Sequence, residues 1–135
     1  MSRLRYLTIG LALAATACSN TPTAPITSDP IFVTDTFSDT LTVNGGVTHQ
    51  IVVSSSGLVT AVITSIAPDP TVVVGLQIGA WNGLGCVVPT IVNDKAVLNL
   101  PLNGQASSAG NLCVRVYDSG KLTEAISYQV QVRHP

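Results

Sequence analysis

Charge and aromaticity are what this chain has least of: 10% of its residues are Asp, Glu, Lys or Arg, and 4% are Phe, Trp or Tyr. Six basic residues stand against seven acidic ones, with no cationic run. That excludes sequence-independent nucleic-acid binding, which needs several Lys or Arg side chains near phosphates. The only histidines, His49 and His134, have no short-range pairing, which argues against a zinc site. No Gly-x-Ser-x-Gly elbow and no Cys-x-x-Cys pair occur, which removes the commonest signatures of a serine hydrolase and of a thiol redox centre. Asp35 and Asp39 lie four apart near the start of a strand pattern, a spacing whose pleat does not bring them together as a hydrolytic carboxylate pair. His49 sits inside a strand pattern and reads as a packed or edge residue rather than a general base; the expectation is that the chain is not an enzyme. No long stretch has the period of an amphipathic helix.

What the chain does have begins with its first residues. Arg3 and Arg5, the apolar run from Tyr6 to Ala14 and the small residues Ala15-Thr16-Ala17 have the three parts of an export signal. The run is too short to span a bilayer, which needs about 20 apolar residues. Cys18 follows directly. Small residues before a cysteine resemble the bacterial lipobox, although Ala15 stands where Leu is usual, and Ala-x-Ala is also the ordinary secretory site. Three cysteines in an exported chain leave one without a partner; lipid on Cys18 would free Cys86 and Cys113 to pair. The expectation is therefore a signal peptide over 1–17, a lipidated Cys18 opening a Ser/Thr/Pro-rich tether over 18–33, and one domain over 34–135. Ser19, rather than Asp, after the cysteine resembles lipoproteins sorted to the outer membrane; simple secretion is the alternative. Removal of 1–17 takes Arg3 and Arg5 with it, leaving a formal charge of 4 − 7 = −3.

From residue 35 on, short apolar or alternating runs are divided by turn residues. "DTFSDTLTV" puts Phe37, Leu41 and Val43 on one parity and meets "NGG", a turn signal because Asn and Gly accept positive φ. "VTHQIVV" gives Val47, His49, Ile51 and Val53 one face. "LVTAVITSI" is apolar on both parities, as in a strand covered on both sides or shared between face and edge. After the prolines of "APDP", "TVVVGLQIGAW" alternates again; "KAVLNLPL" is a weaker strand candidate, interrupted by Pro101. "NLCVRVYDSG" turns Leu112, Val114 and Val116 inward and Arg115 and Tyr117 outward, and "ISYQVQV" closes the series. Seven or eight strands without helices read as an all-β antiparallel sandwich, jelly-roll or immunoglobulin-like.

Two stretches carry a family resemblance. "AGNLCVRVYDSGKLTEAISYQVQV" resembles the closing motif of the bacterial pre-peptidase C-terminal domain family, and "DTFSDTLTVNGGVTHQIVVSSSGLVTAVITSI" resembles its opening hairpins. Stand-alone exported lipoproteins carrying "VGLQIGAWNGLGC" and "CVRVYDSG" are more similar still. The resemblance implies a β-sandwich that serves exported proteins as a binding or maturation module. Calcium, which some relatives bind, would here have to come from turn carboxylates such as Asp69 or Asp94, without the dense acidic cluster those relatives use; no cofactor is expected. Cys113 stands where relatives often have an aromatic residue. Its bond to Cys86, in the loop after "WNGLG", would close a loop of about 27 residues, contributing roughly 3.5 kcal/mol.

The residues left for binding are few. Trp81, the sole tryptophan, ends an apolar strand beside Asn82 and a Gly-rich loop. Its indole either stacks on a sugar ring or fills a partner's pocket, or it covers the end of the core beside the disulfide. Arg115 and Tyr117 form a second candidate surface. The function expected is that of a non-catalytic, envelope-anchored module binding a polysaccharide or an envelope protein through loops near Trp81. The alternative is a structural envelope lipoprotein acting through protein contacts, including strand addition at a sheet edge.

Overall fold

The computed structural model describes Pro25 and residues 28–135. The expected signal segment, Cys18 and most of the tether lie outside the described residues. The chain forms eight strands: β1 (Val33–Leu41), β2 (Gly46–Val53), β3 (Gly57–Ala67), β4 (Val74–Trp81), β5 (Cys86–Ala96), β6 (Leu102–Ala106), β7 (Gly110–Tyr117) and β8 (Ile126–His134). They build two four-stranded sheets, β1-β8-β3-β6 and β2-β7-β4-β5, in which every pairing is antiparallel. The expected all-β sandwich is what the chain forms.

Period-2 patterning decides which side of each strand is buried. In β8, Ile126, Tyr128, Val130, Val132 and His134 point inward and are buried, while Ser127, Gln131 and Arg133 remain exposed. In β7 the inward set is Leu112, Val114 and Val116, as the alternation predicts. The core between the sheets is almost wholly aliphatic, with Leu41, Ile51, Ile63, Leu76 and Ile78 among its largest fully buried side chains. The mixed parity of β3 has a specific cause. Val59, Ala61 and Ile63 face the core, a bulge between Ile63 and Ser65 inserts one extra residue, and Ile66 then faces the core as well.

The turn at "NGG" forms with Asn44 at φ 58° and the Gly45 N–H donating to Thr42 O. Strand β1 stops at Leu41, so Val43 lies in the turn, exposed. Two expectations are corrected in the middle of the chain. Residues 97–101, the middle of the weaker strand candidate over 95–102, form the turn between β5 and β6, with Asn99 at φ 63° and its N–H bonded to Ile63 O. Cys86, expected in a loop, begins β5, an irregular edge strand that Pro89 and its lack of alternation hid in the sequence.

Cys86 and Cys113 are bonded, with their Cα atoms 5.5 Å apart. They belong to β5 and β7, and β4 runs between these strands. Strands once removed are normally about 9.5 Å apart, so the start of β5 must lean across β4 for the bond to close. Register shifts on either side of Gly79 accommodate this. A Cβ at Gly79 would stand 3.1 Å from Val87 O and 3.2 Å from Cys86 Sγ; the missing side chain is the space the strap occupies.

Replacing both cysteines with serine should lower unfolding free energy by roughly 3.5 kcal/mol. Urea melts of the oxidised protein and the double variant measure it; a difference below about 1 kcal/mol would mean that the strap does not restrain the unfolded chain as the loop length implies.

Candidate functional site

The outer face of the second sheet is built around a central strand with little side chain. Along β4 the outward positions are Gly75, Gln77, Gly79 and Trp81. Neighbours fill both glycine gaps: the disulfide covers Gly79, and the ring of Tyr117 lies where a Cβ at Gly75 would be. Arg115 lies over Gly46 of β2, its guanidinium 5.2 Å from the centre of the Tyr117 ring. The Tyr117 hydroxyl donates to Asp94 Oδ1 on β5. Partial burial, then the Asp94 contact and charge, push the Tyr117 phenol up to about 12, so it stays a donor.

Trp81 is half-buried at the end of β4, paired in register with Cys86. Asn82 is exposed, but its side chain serves its own turn: Oδ1 accepts from the N–H groups of Leu84 and Gly85, both at 2.9 Å. Six residues of strand, about 20 Å, separate Trp81 from Gly75, the residue paired with Tyr117. The four residues expected to bind therefore form two separate pairs, Trp81 with Asn82 and Arg115 with Tyr117, at opposite ends of one sheet face.

The titratable residues are engaged locally. His49 stacks on Phe37, ring centres 4.6 Å apart, and its Nε2 lies 2.7 Å from the Tyr128 hydroxyl. Burial holds the His49 imidazole below its ordinary value, opposed by the charge of Asp39. Tyr128 is pushed upward by burial and then by Asp39, so its hydroxyl stays protonated in the contact with His49. His134 is buried, with Nε2 3.1 Å from Asp35 Oδ2. Asp39 accepts from the Thr40 N–H, and Asp69 accepts from both the N–H and the hydroxyl of Thr71, which hold its carboxyl below the usual range. Among the described residues, no three His, Cys, Asp or Glu side chains converge as a metal site.

Sequence reasoning passed over two features. Asp118 joins two loops: Oδ2 accepts from the Asn44 N–H, and Oδ1 from those of Gly120, Lys121 and Leu122. The Asn44 contact is the first cause holding its carboxyl low. The "DSG" after a strand was the available signal. The second is the outer face of the first sheet, where hydroxyl and amide side chains predominate, with Leu58, Val62 and Arg133 among them. Thr60 Oγ1 donates to Asn103 Oδ1 at 2.9 Å, Thr64 Oγ1 to Gln129 Oε1 at 3.0 Å, and Gln129 Nε2 to Ser38 Oγ at 3.4 Å. A shallow depression of about 260 Å³ opens here, lined by Thr34, Thr60, Val62, Thr64, Gln131 and Arg133. At its end the Arg133 guanidinium lies 3.7 Å from the centre of the Phe32 ring. Its signal was the run of Thr, Ser and Gln at alternate positions of β1 and β8.

No family model matches the chain, and no curated protein matches it.

Two predictions follow from these contacts. Because the folded-state value of His49 is lowered, the unfolded chain holds more protons between that value and about 6.5. The His49 contribution to stability is thus complete above about 6.5 and declines as pH falls through the window. Urea melts between pH 7.5 and 5 should show this slope, and His49→Gln should flatten it; an equal slope in the variant would assign the effect elsewhere. Asp118→Ala should cost about 1–2 kcal/mol through lost charge-assisted hydrogen bonds, read at pH 7 by urea melts and shrinking as pH falls through the lowered folded-state value of its carboxyl.

Proposed function

We propose that this protein is a non-catalytic, envelope-anchored β-sandwich module, held by lipid on Cys18, that binds a polysaccharide across the outer face of the β1-β8-β3-β6 sheet. The observation that carries the reading is the shallow depression lined by Thr34, Thr60, Val62, Thr64, Gln131 and Arg133. Hydroxyl and amide groups, with Arg133 as the one charged residue of the lining, match the hydroxyls of a sugar chain as donors and acceptors. Val62 and the Arg133–Phe32 pair supply the apolar patches on which the C–H face of a sugar can rest. An open, flat trough suits a polymer that continues past the site at both ends. The engagement of both histidines in packing contacts supports the non-catalytic part of the reading.

The sequence alone favoured loops near Trp81 as the binding surface. The geometry supports the sheet face better, because Asn82 is committed to its turn and Tyr117 and Arg115 lie at the far end.

Retention of the oxidised chain from Ser19 onward on a panel of insoluble polysaccharides tests this. Saturable retention on at least one is expected. Thr60→Ala combined with Gln131→Ala should weaken it about tenfold, the loss of two hydrogen bonds at roughly 0.7 kcal/mol each, while Trp81→Ala should leave it within twofold. Retention abolished by Trp81→Ala but indifferent to the sheet-face pair would return the site to the loop, and no retention on any polysaccharide would remove the glycan reading.

A further inference from the structure

The two ends of the sandwich differ in chemistry, and the chain enters at one of them. Val33, where β1 begins, is paired with His134, and Arg133 with Thr60 of β3. Ser54, in the turn joining β2 to β3, donates its N–H to Pro135 O at 2.9 Å. In the second sheet Val53 is paired with Gly110, Ala80 with Leu112 and Trp81 with Cys86. The start of β1, the β2–β3 turn, the β4–β5 turn and the last residues of β8 therefore share one end.

Four large apolar side chains among the described residues are more than 60% exposed: Leu84 at 93%, Ile31 at 84%, Val88 at 76% and Val52 at 64%. All four lie at this end. Leu84 tips the β4–β5 turn, and Val88 is held at φ 46°, a conformation β-branched residues rarely adopt. Half-buried Trp81 ends β4 next to this turn, on the outer face of its sheet. Charge is distributed the other way. Asp69, Asp94, Lys95, Asp118, Lys121 and Glu124 are at the far end or in its loops. At the near end Asp35 is paired with His134 and Arg133 is stacked on Phe32, while Asp29 sits on the entering segment.

We propose that this end of the sandwich docks on a lipid bilayer, with Leu84 and Val88 inserted among the acyl chains and Trp81 at the headgroup level. The inference rests on the reading of Cys18 as the anchor. Fourteen residues lie between Cys18 and Val33, a length of chain that reaches no more than about 50 Å. The anchor thus confines this end close to the membrane, and the high effective concentration makes a weak apolar contact sufficient. An aromatic residue beside protruding aliphatic ones, with few free charges, is the composition of an interfacial contact. Docked in this way, the strands stand across the membrane plane and both sheet faces open sideways.

The single tryptophan is the probe. The chain from Cys18 to Pro135, oxidised so that only Cys18 is a free thiol, is coupled to a maleimide-bearing lipid in phosphatidylethanolamine/phosphatidylglycerol vesicles, with or without brominated acyl chains. Trp81 emission should fall at least twofold with brominated lipid. Leu84→Asp with Val88→Asp should restore it, with flotation on the vesicles and the urea midpoint unchanged; Leu84→Asp alone, at a fully open turn position, should restore most of it. Unquenched Trp81 in the coupled wild-type chain would overturn the proposal, as would quenching indifferent to both variants. Self-association that Leu84→Asp abolishes, without quenching, would assign the surface to a second copy and overturn it too. Labelling of Cys18 by palmitate in a bacterial host tests the anchor separately, because the chemical coupling does not depend on it.

Discussion

The second sheet depends on one covalent strap laid over one missing side chain. The Cys86–Cys113 bond joins the strands on either side of β4 and crosses it at Gly79. Without it, the one strand ladder holding β5 would be that with β4, interrupted by three register shifts, beside the Tyr117–Asp94 contact and the packing of Ile91 and Ala96. An edge strand paired so irregularly is a point where local opening begins. The strap permits β5 to be irregular: Val88 can occupy positive φ, and Leu84 can stand out from the turn, because the start of the strand is fixed by a bond rather than by continuous hydrogen bonding. The low charge of the chain has the same logic, since a small domain stabilised covalently and by aliphatic packing has little need of ion pairs.

Around that strap the molecule separates its tasks by direction. The core runs between the sheets, and its polar exceptions are placed at its margins: His49 with Tyr128 at one edge, His134 with Asp35 at one end. The carboxylates of Asp69, Asp94 and Asp118 serve turns and inter-strand contacts toward the other end. What remains turned to solvent is the outer face of the first sheet, whose hydroxyl and amide groups bond partly to one another, and the apolar tip beside Trp81. Both are surfaces of weak groups in number, and each gains from being presented on a rigid strand or a braced turn.

Inward and outward positions of β2, β7 and β8 were readable from the residues because alternation is a property of each strand alone. Ile126 to Val132 and Leu112 to Val116 are buried as their period requires. The two parities of β3 were visible, but their cause, a bulge at Ile63/Ser65, is a relation to β8 and leaves no local mark. β5 was hidden for a similar reason: Pro89 and the run of Val87 and Val88 have no period, and register with β4 makes them a strand. The site followed the same rule. Trp81 at a strand end and Tyr117 and Arg115 facing outward were evident one by one. The filling of Gly75 by Tyr117, and the distance that divides the four candidates, depend on how strands are set side by side.

The pairing of β1 with β8 carries a mechanical consequence. β1 is an edge strand whose nine residues, Val33 to Leu41, are in antiparallel register with β8 and with no other strand. A pull delivered at Val33 along the strand axis, opposed by a load at the far end of the sheet, acts on that ladder in shear, so its hydrogen bonds resist together and yield together. The same force turned perpendicular to the strand would peel them one at a time. A β-sandwich suspended by the first residue of an edge strand is therefore strong in tension along its length and weak to sideways tearing.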